Sequence, residues 1–160
     1  MKDREINGMP VLVMGIGNVL VGDEGIGIHA VKYLEQKGMP SNTELLDGGT
    51  GGFHLLSLLL DYPRMVLIDA TLDGNPPGTI NVVRPKFAGD FPRTLSSHDI
   101  GLKDLVESAA VLGELPEIHL ITVSISDGQP VQMELSEKLE KLLPDIYNKV
   151  LEILKSMGVE

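Results

Sequence analysis

Short apolar segments alternate with segments of helical periodicity along this chain, and that alternation leaves few folds open. The first apolar segment, residues 10–14, precedes a glycine-rich loop, and apolar residues then recur at helical spacing from Ile26 until Gly38. Residues 43–47 and 53–60 repeat the order of strand and helix. Strands that alternate with helices predict a largely parallel sheet with helices on both faces.

The rest of the chain extends this pattern. Three further strands are predicted, at residues 64–69, 79–84 and 118–124. Two further helical segments are predicted, from about residue 99 to 112 and from 137 to 154, and Pro144 must kink or divide the second. The turn at residues 75–78 is too short for a crossover helix, so strand four should be antiparallel at an edge. We predict a three-layer α/β/α sandwich with a mostly parallel five-stranded sheet and one antiparallel edge strand.

Composition narrows the possible functions. The 160 residues are 42% apolar, which suits one domain over residues 1–160. The absence of cysteine excludes disulfides, thiolate metal sites and cysteine nucleophiles. A net charge of −10 argues against nucleic acid as a partner. We find no signal-like amino terminus and no apolar run of membrane length, so we expect a cytoplasmic protein without membrane contact.

Three acidic residues fall near the ends of the predicted strands. Asp47 closes strand two, Asp69 closes strand three, and Glu24 lies in the loop that leaves strand one. If these strands lie in the order 2-1-3, Glu24 and Asp69 flank the crevice where such sheets bind ligands. Taken alone, Asp69 fits a turn former equally well. We interpret the neighbouring Asp23 as a helix cap.

The glycine-rich loop at residues 15–27 argues against a nucleotide site. A dinucleotide fingerprint requires a third glycine where this chain has Leu20, and Asp23 and Glu24 would repel a pyrophosphate. A nucleotide-dependent enzyme is a further rival function. We expect titration with adenine and nicotinamide nucleotides to show no binding, which would exclude this rival. The glycines around Thr50 either let backbone approach closely or only turn the chain.

His98 is the third candidate for chemistry. It precedes the third predicted helix, where the helix dipole favours a neutral imidazole that binds metal or accepts a proton; simple capping is the alternative. Glu24, Asp69 and His98 are too far apart in sequence for a local metal motif, so only the fold would assemble them. Residues 85–97 are long enough to return the chain to the carboxyl edge. Such a ligand set suits zinc or nickel.

The other histidines and the serines are weaker candidates. His29 and His54 lie among apolar helix positions, where a structural role is more common than metal ligation. His119 is expected to face the layer opposite its strand neighbours. No G-x-S-x-G motif is present, and neither Ser124 nor Ser126 has an evident base.

In these residues the chain resembles the hydrogenase maturation proteases, endopeptidases that remove a carboxyl-terminal extension from the large subunit of nickel-iron hydrogenases. The likeness spans nearly the whole chain. The matching segments are Val11 to Met14 with Gly15-Ile16-Gly17-Asn18, then Gly22-Asp23-Glu24-Gly25-Ile26-Gly27, Asp47-Gly48-Gly49-Thr50, Ile68-Asp69-Ala70, and Ser97-His98 with Gly101-Leu102.

This resemblance implies that Glu24, Asp69 and His98 are catalytic and metal-binding residues, with no other cofactor site. It further implies cleavage after nickel insertion, with nickel carried by the precursor; zinc or cadmium are expected substitutes in vitro. The metal either activates water or serves recognition while a carboxylate acts as base, as in an aspartic-type enzyme. We expect a monomer. The rival function is a nickel-dependent chaperone that binds the precursor without cutting it.

Overall fold

The computed structural model of this chain describes residues 8–49, 53–85, 102–113 and 115–160. Within these ranges the chain forms a sheet of five strands. The strands are β1 (Val11–Gly15), β2 (Thr43–Asp47), β3 (Arg64–Thr71), β4 (Ile80–Val83) and β5 (Glu117–Ser124). Their order across the sheet is β2-β1-β3-β5-β4. The first three strands therefore have the order 2-1-3, the condition under which Glu24 and Asp69 flank the crevice.

β4 alone among these strands runs antiparallel to its neighbour. It pairs with β5 from Ile80 opposite Val123 to Val83 opposite Leu120, while β1, β2, β3 and β5 are mutually parallel where they pair. The antiparallel edge strand is thus confirmed. It follows from the short connection after β3, which cannot carry the chain back across the sheet before the next strand begins.

Five helices accompany the sheet in the described ranges. They are α1 (Ile26–Lys37), α2 (Phe53–Asp61), α3 (Leu102–Leu112), α4 (Glu137–Glu140) and α5 (Leu143–Ser156). Pro144 divides the last helical segment, because it lies in the first turn of α5, where its missing N–H is not needed. Ser136 caps α4 by accepting a hydrogen bond from the Leu139 N–H.

The two faces of the sheet carry separate apolar clusters. On one face, α1 and α5 cover alternate residues of β1, β3 and β5, among them Val13, Val66 and Ile121. On the other face, α2 and α3 cover the residues between, among them Met14 and Leu67. Nearly continuous burial of β1 and β3 is typical of parallel strands covered on both sides.

The strand that carries Asp69 is longer than predicted. β3 continues to Thr71, because Ala70 and Thr71 pair with Val123 and Ser124 of β5. Asp69 therefore lies inside the strand rather than at its end, and its side chain is fully buried. The expectation that Asp69 closes the strand is wrong by two residues.

Candidate active site

Close backbone packing joins β1, β3 and the start of α1 at the carboxyl edge of the sheet. The Ile16 N–H donates to the Ile68 carbonyl at 2.9 Å, directly before Asp69. Gly27 packs against both residues: a Cβ atom there would overlap the carbonyl oxygens of Ile16 and Ile68. The beginning of α1 is consequently held against the strand position that precedes Asp69.

Glu24 lies in a single 3-10 turn, Gly22–Gly25, immediately before α1. Its N–H donates to the Val21 carbonyl at 3.0 Å, and its side chain is half-buried. Its own carbonyl packs so closely on Gly17 that any side chain at Gly17 would overlap it. Glu24 is therefore placed by backbone packing beside the end of β1, next to the strand that carries Asp69.

Asp69 projects from β3 toward the layer of α2 and α3. Leu67, two residues earlier on the same face, belongs to the apolar cluster under these helices. The Oδ1 atom of Asp69 accepts a hydrogen bond from the Ala70 N–H at 2.8 Å. Thr122 of β5 lies opposite Asp69 in the register and is also buried. Asp69 is thus a buried carboxylate among the carboxyl ends of β1, β3 and β5.

Asp23 is not the helix cap that the sequence suggested. Its Oδ1 accepts from the Ser136 N–H at 2.7 Å and its Oδ2 accepts from the Ser136 hydroxyl at 2.8 Å. Its N–H donates to Gln129 Oε1 at 2.9 Å. The carboxylate is buried, and it joins the Glu24 turn to a segment far along the chain. Nothing in the local sequence marks Ser136 or Gln129 as partners of this residue.

Replacing Asp23 by alanine is expected to destabilise the protein by about 1–3 kcal/mol, because the N–H and the hydroxyl of the partly buried Ser136 would each lose their acceptor. Urea denaturation measures this loss. The matched control is Asp127→Ala, since Asp127 is exposed and bonds only the N–H of Gly128 among the contacts described. An equal effect of the two replacements would contradict the assigned role of Asp23.

The remaining acids and the serine at this edge make local contacts. Asp47 is exposed, lines a groove of about 450 Å³ between α1 and β2, and accepts from the Gly49 N–H at 2.8 Å. Ser124 donates to Asp73 Oδ1 at 2.9 Å. Partial desolvation would raise the pKa of Asp73, but hydrogen bonds from Asn75 and Ser124 outweigh it and lower the pKa. Ser124 is fully buried and bonded to an acid, which is a poor environment for a nucleophile.

The glycines after β2 bring backbone close to β1. The Gly48 N–H donates to the Gly15 carbonyl at 2.8 Å, and the Gly17 N–H donates to the Gly49 carbonyl at 2.7 Å. A Cβ atom at Gly48 would lie 3.2 Å from the Gly15 carbonyl oxygen, tighter than an ordinary van der Waals contact, and 2.9 Å from Met14 Sδ. Of the two interpretations of this segment, close approach is therefore confirmed for Gly48. Gly49 also turns the chain, with a φ of 57°.

The four histidines differ in where they lie and in what they contact. His98 lies outside the described residues, as does the side chain of His54. His29 Nε2 lies 2.9 Å from the Met133 carbonyl, which confirms a satisfied structural ring. His119 is buried, and burial followed by the charge of Arg84 lowers its pKa. His119 pairs in register with Val66, which belongs to the α1 and α5 face, so it faces the layer opposite Leu120 as predicted.

The comparisons with known proteins decide the family. A model of the hydrogenase maturation proteases matches residues 28–153. The chain belongs to this family. It is 32% identical over 155 residues to the hydrogenase 2 maturation protease of Escherichia coli (strain K12), covering 95% of this chain and 94% of the relative. It is 35% identical over 159 residues to the hydrogenase expression/formation protein HupD of Thiocapsa roseopersicina, covering 93% and 69% of the two chains.

Solved structures agree with this assignment. The hydrogenase maturating endopeptidase HybD from Escherichia coli superposes with a TM-score of 0.84 at 33% identity, over 95% of this chain and 96% of that one. HybD from Thermococcus kodakarensis gives 0.72 at 26% identity, over 91% and 99%. The predicted fold class is confirmed, and as a protease of this family the chain is a hydrolase. None of the helices in the described ranges has the length and apolar character needed to cross a membrane.

Proposed function

We propose that this protein removes the carboxyl-terminal extension of a nickel-iron hydrogenase large-subunit precursor, after nickel has been inserted, and that the nickel is part of what it recognises. The observation that carries the proposal is the position of Glu24 and Asp69 on adjoining elements at one edge of the sheet. The scaffold beneath them matches that of the maturating endopeptidase HybD over nearly its full length.

The donor set suits a borderline divalent ion. Glu24 and Asp69 supply carboxylate oxygens, and His98 would supply the imidazole nitrogen that completes a three-ligand set. Within the described residues, no group of three or more histidine, aspartate or glutamate side chains is placed to hold a metal, and His98 lies outside them. When bound there, nickel would act as a Lewis acid and as a recognition element of the precursor.

The protein's own groups have distinct tasks in the proposed hydrolysis. Glu24 is half-buried, so its carboxylate is the one that meets water and substrate, and it would accept a proton from the attacking water. The water oxygen bonds to the carbonyl carbon, the C–N bond breaks, and the departing nitrogen takes up a proton. Asp69 is enclosed, so it acts from a fixed position beneath the reacting groups.

A cleavage assay tests the proposal directly. Purified protein incubated with nickel-loaded precursor is expected to lower the precursor's mass by that of its carboxyl-terminal extension, and the released peptide should appear in the mass spectrum. Nickel-free precursor should keep its mass over the same period. Zinc- or cadmium-loaded precursor tests whether other divalent ions substitute.

An unchanged precursor mass together with nickel-dependent binding would support the chaperone instead.

Glu24→Gln should slow cleavage by about a hundredfold through loss of the proton acceptor. Glu140→Gln is its matched control, because Glu140 is an exposed glutamate on α4. Equal cleavage by both variants would remove Glu24 from the proposed chemistry.

A further inference from the structure

Three large apolar side chains are exposed to solvent beside the Glu24 turn. Leu20 is 56% exposed, Val131 is 88% exposed and Met133 is 56% exposed. Scattered exposed apolar residues are normal on a protein surface, but clusters of them commonly mark interaction sites. We call these three residues the apolar patch.

Backbone pairing brings the patch together from two distant segments. Val21 and Gln132 form a parallel bridge, and the Gly22 N–H donates to the Gln132 carbonyl at 2.8 Å. Leu20 and Val131 each precede a bridge residue, so they lie side by side at the same register position. Met133 follows the bridge and extends the patch toward α1, where its carbonyl is bonded to His29.

Hydrogen bonds to the buried Asp23 hold the two segments of the patch together. Asp23 bonds both the N–H and the hydroxyl of Ser136, and its own N–H bonds Gln129. Gln129 and Ser136 lie on either side of Val131 and Met133, and Asp23 lies three residues after Leu20, so these bonds join the two segments that carry the patch. A partner that docks here would therefore lose little free energy in ordering the surface.

The charge around the patch restricts the kind of partner. Residues 16–31 and 125–136, which build this face, contain no lysine or arginine. They carry Glu24, half-buried, and the exposed acids Asp127 and Glu134. A complementary surface is apolar at its centre and basic, or metal-loaded, at its margin.

We propose that the apolar patch is the docking surface for the hydrogenase large-subunit precursor. This inference rests on the proposed function: a chain whose peptide bond reaches Glu24 must cross the surface next to the Glu24 turn, and the patch is continuous with that turn. The precursor would bury an apolar segment on Leu20, Val131 and Met133, with basic residues or its nickel toward the acids.

The matched pair Val131→Asp and Val111→Asp tests the patch. Val111 is 87% exposed, nearly the same as Val131, but lies at the far end of α3. Val131→Asp is expected to raise the KM for nickel-loaded precursor, and the Kd of its complex, by about tenfold or more, because a buried valine contact is replaced by a charge. The kcat should change by less than about twofold, since the patch touches no reacting atom. Val111→Asp should match the wild type.

The possible results distinguish failure of the docking surface from failure of the protease function. Wild-type cleavage with unchanged KM and Kd in Val131→Asp would overturn the docking surface and keep the protease. Binding that depends on Val131, without cleavage, would overturn the protease and keep the docking surface. Loss of self-association in Val131→Asp, with KM unchanged, would show that a second copy covers the patch and overturn the inference. If Val131→Asp unfolds at a lower temperature than wild type, Met133→Gln provides the same comparison with a milder change.

Discussion

Asp69→Asn is expected to reduce processing of nickel-loaded precursor by about a thousandfold, within the range typical of a group that handles charge or protons during catalysis. Asparagine has nearly the same shape and keeps an oxygen for the Ala70 N–H, so the variant removes the charge and spares the local contact. Single-turnover cleavage followed by mass spectrometry measures the effect.

The control for this variant is Asp73→Asn. Asp73 lies two residues beyond β3 at the same edge of the sheet and accepts hydrogen bonds from Ser124 and Asn75. Its replacement should weaken these contacts and leave the cleavage rate within about threefold of wild type, as expected for a residue outside the reacting groups. If Asp69→Asn cleaved as fast as Asp73→Asn, Asp69 would have no part in the chemistry.

Asparagine is a better probe than alanine because of where β3 ends. A residue at a strand end would tolerate truncation, but Asp69 is fully buried inside the strand. Alanine would remove buried atoms and leave the surrounding polar groups unsatisfied, so lost activity and lost stability would be confounded. The thermal unfolding temperature of Asp69→Asn therefore has to be compared with wild type before the rates are interpreted.

The strands and the antiparallel direction of β4 could be predicted because each depends on nearby sequence. Apolar segments ending at glycine or an acid gave strands, and the short turn after β3 excluded a crossover helix. The order 2-1-3 of the first three strands depends on pairing across the sheet, and it was assumed rather than predicted. The end of β3 could not be predicted in the same way. Whether Ala70 and Thr71 join the strand depends on pairing with Val123 and Ser124, which lie about fifty residues further along.

The site was predictable only in part, for a related reason. The placement of Glu24 and Asp69 at one edge could be predicted because acids near the strand ends of a parallel sheet gather there. Asp23 was misinterpreted because its position before a helix fits a cap, whereas its partner Ser136 is distant in sequence and carries no distinctive signal. The role of His98 stays a prediction, because that residue lies outside the described part of the chain.

Gly27 lies where the start of α1 packs directly against the backbone at the carboxyl ends of β1 and β3. It is the second residue of α1, and helix propensity alone would make alanine more favourable there by about 1 kcal/mol. The packing opposes this preference. A Cβ atom would overlap the carbonyl oxygens of both Ile16 and Ile68, which are backbone atoms and cannot rotate aside. The start of α1 would have to move away from the sheet.

Gly27→Ala is accordingly expected to lower the free energy of unfolding by about 3 kcal/mol or more, the scale of overpacking a rigid core. Urea denaturation gives the value, and Gly113→Ala is the control, since a Cβ atom there would make an ordinary contact with Leu60 at 3.6 Å. Because α1 follows the Glu24 turn directly, the displaced helix should also carry Glu24 away from Asp69. Cleavage measured on the folded fraction should therefore fall further than the loss of stability explains, and a folded Gly27→Ala protein with wild-type activity would show that Glu24 does not need this placement.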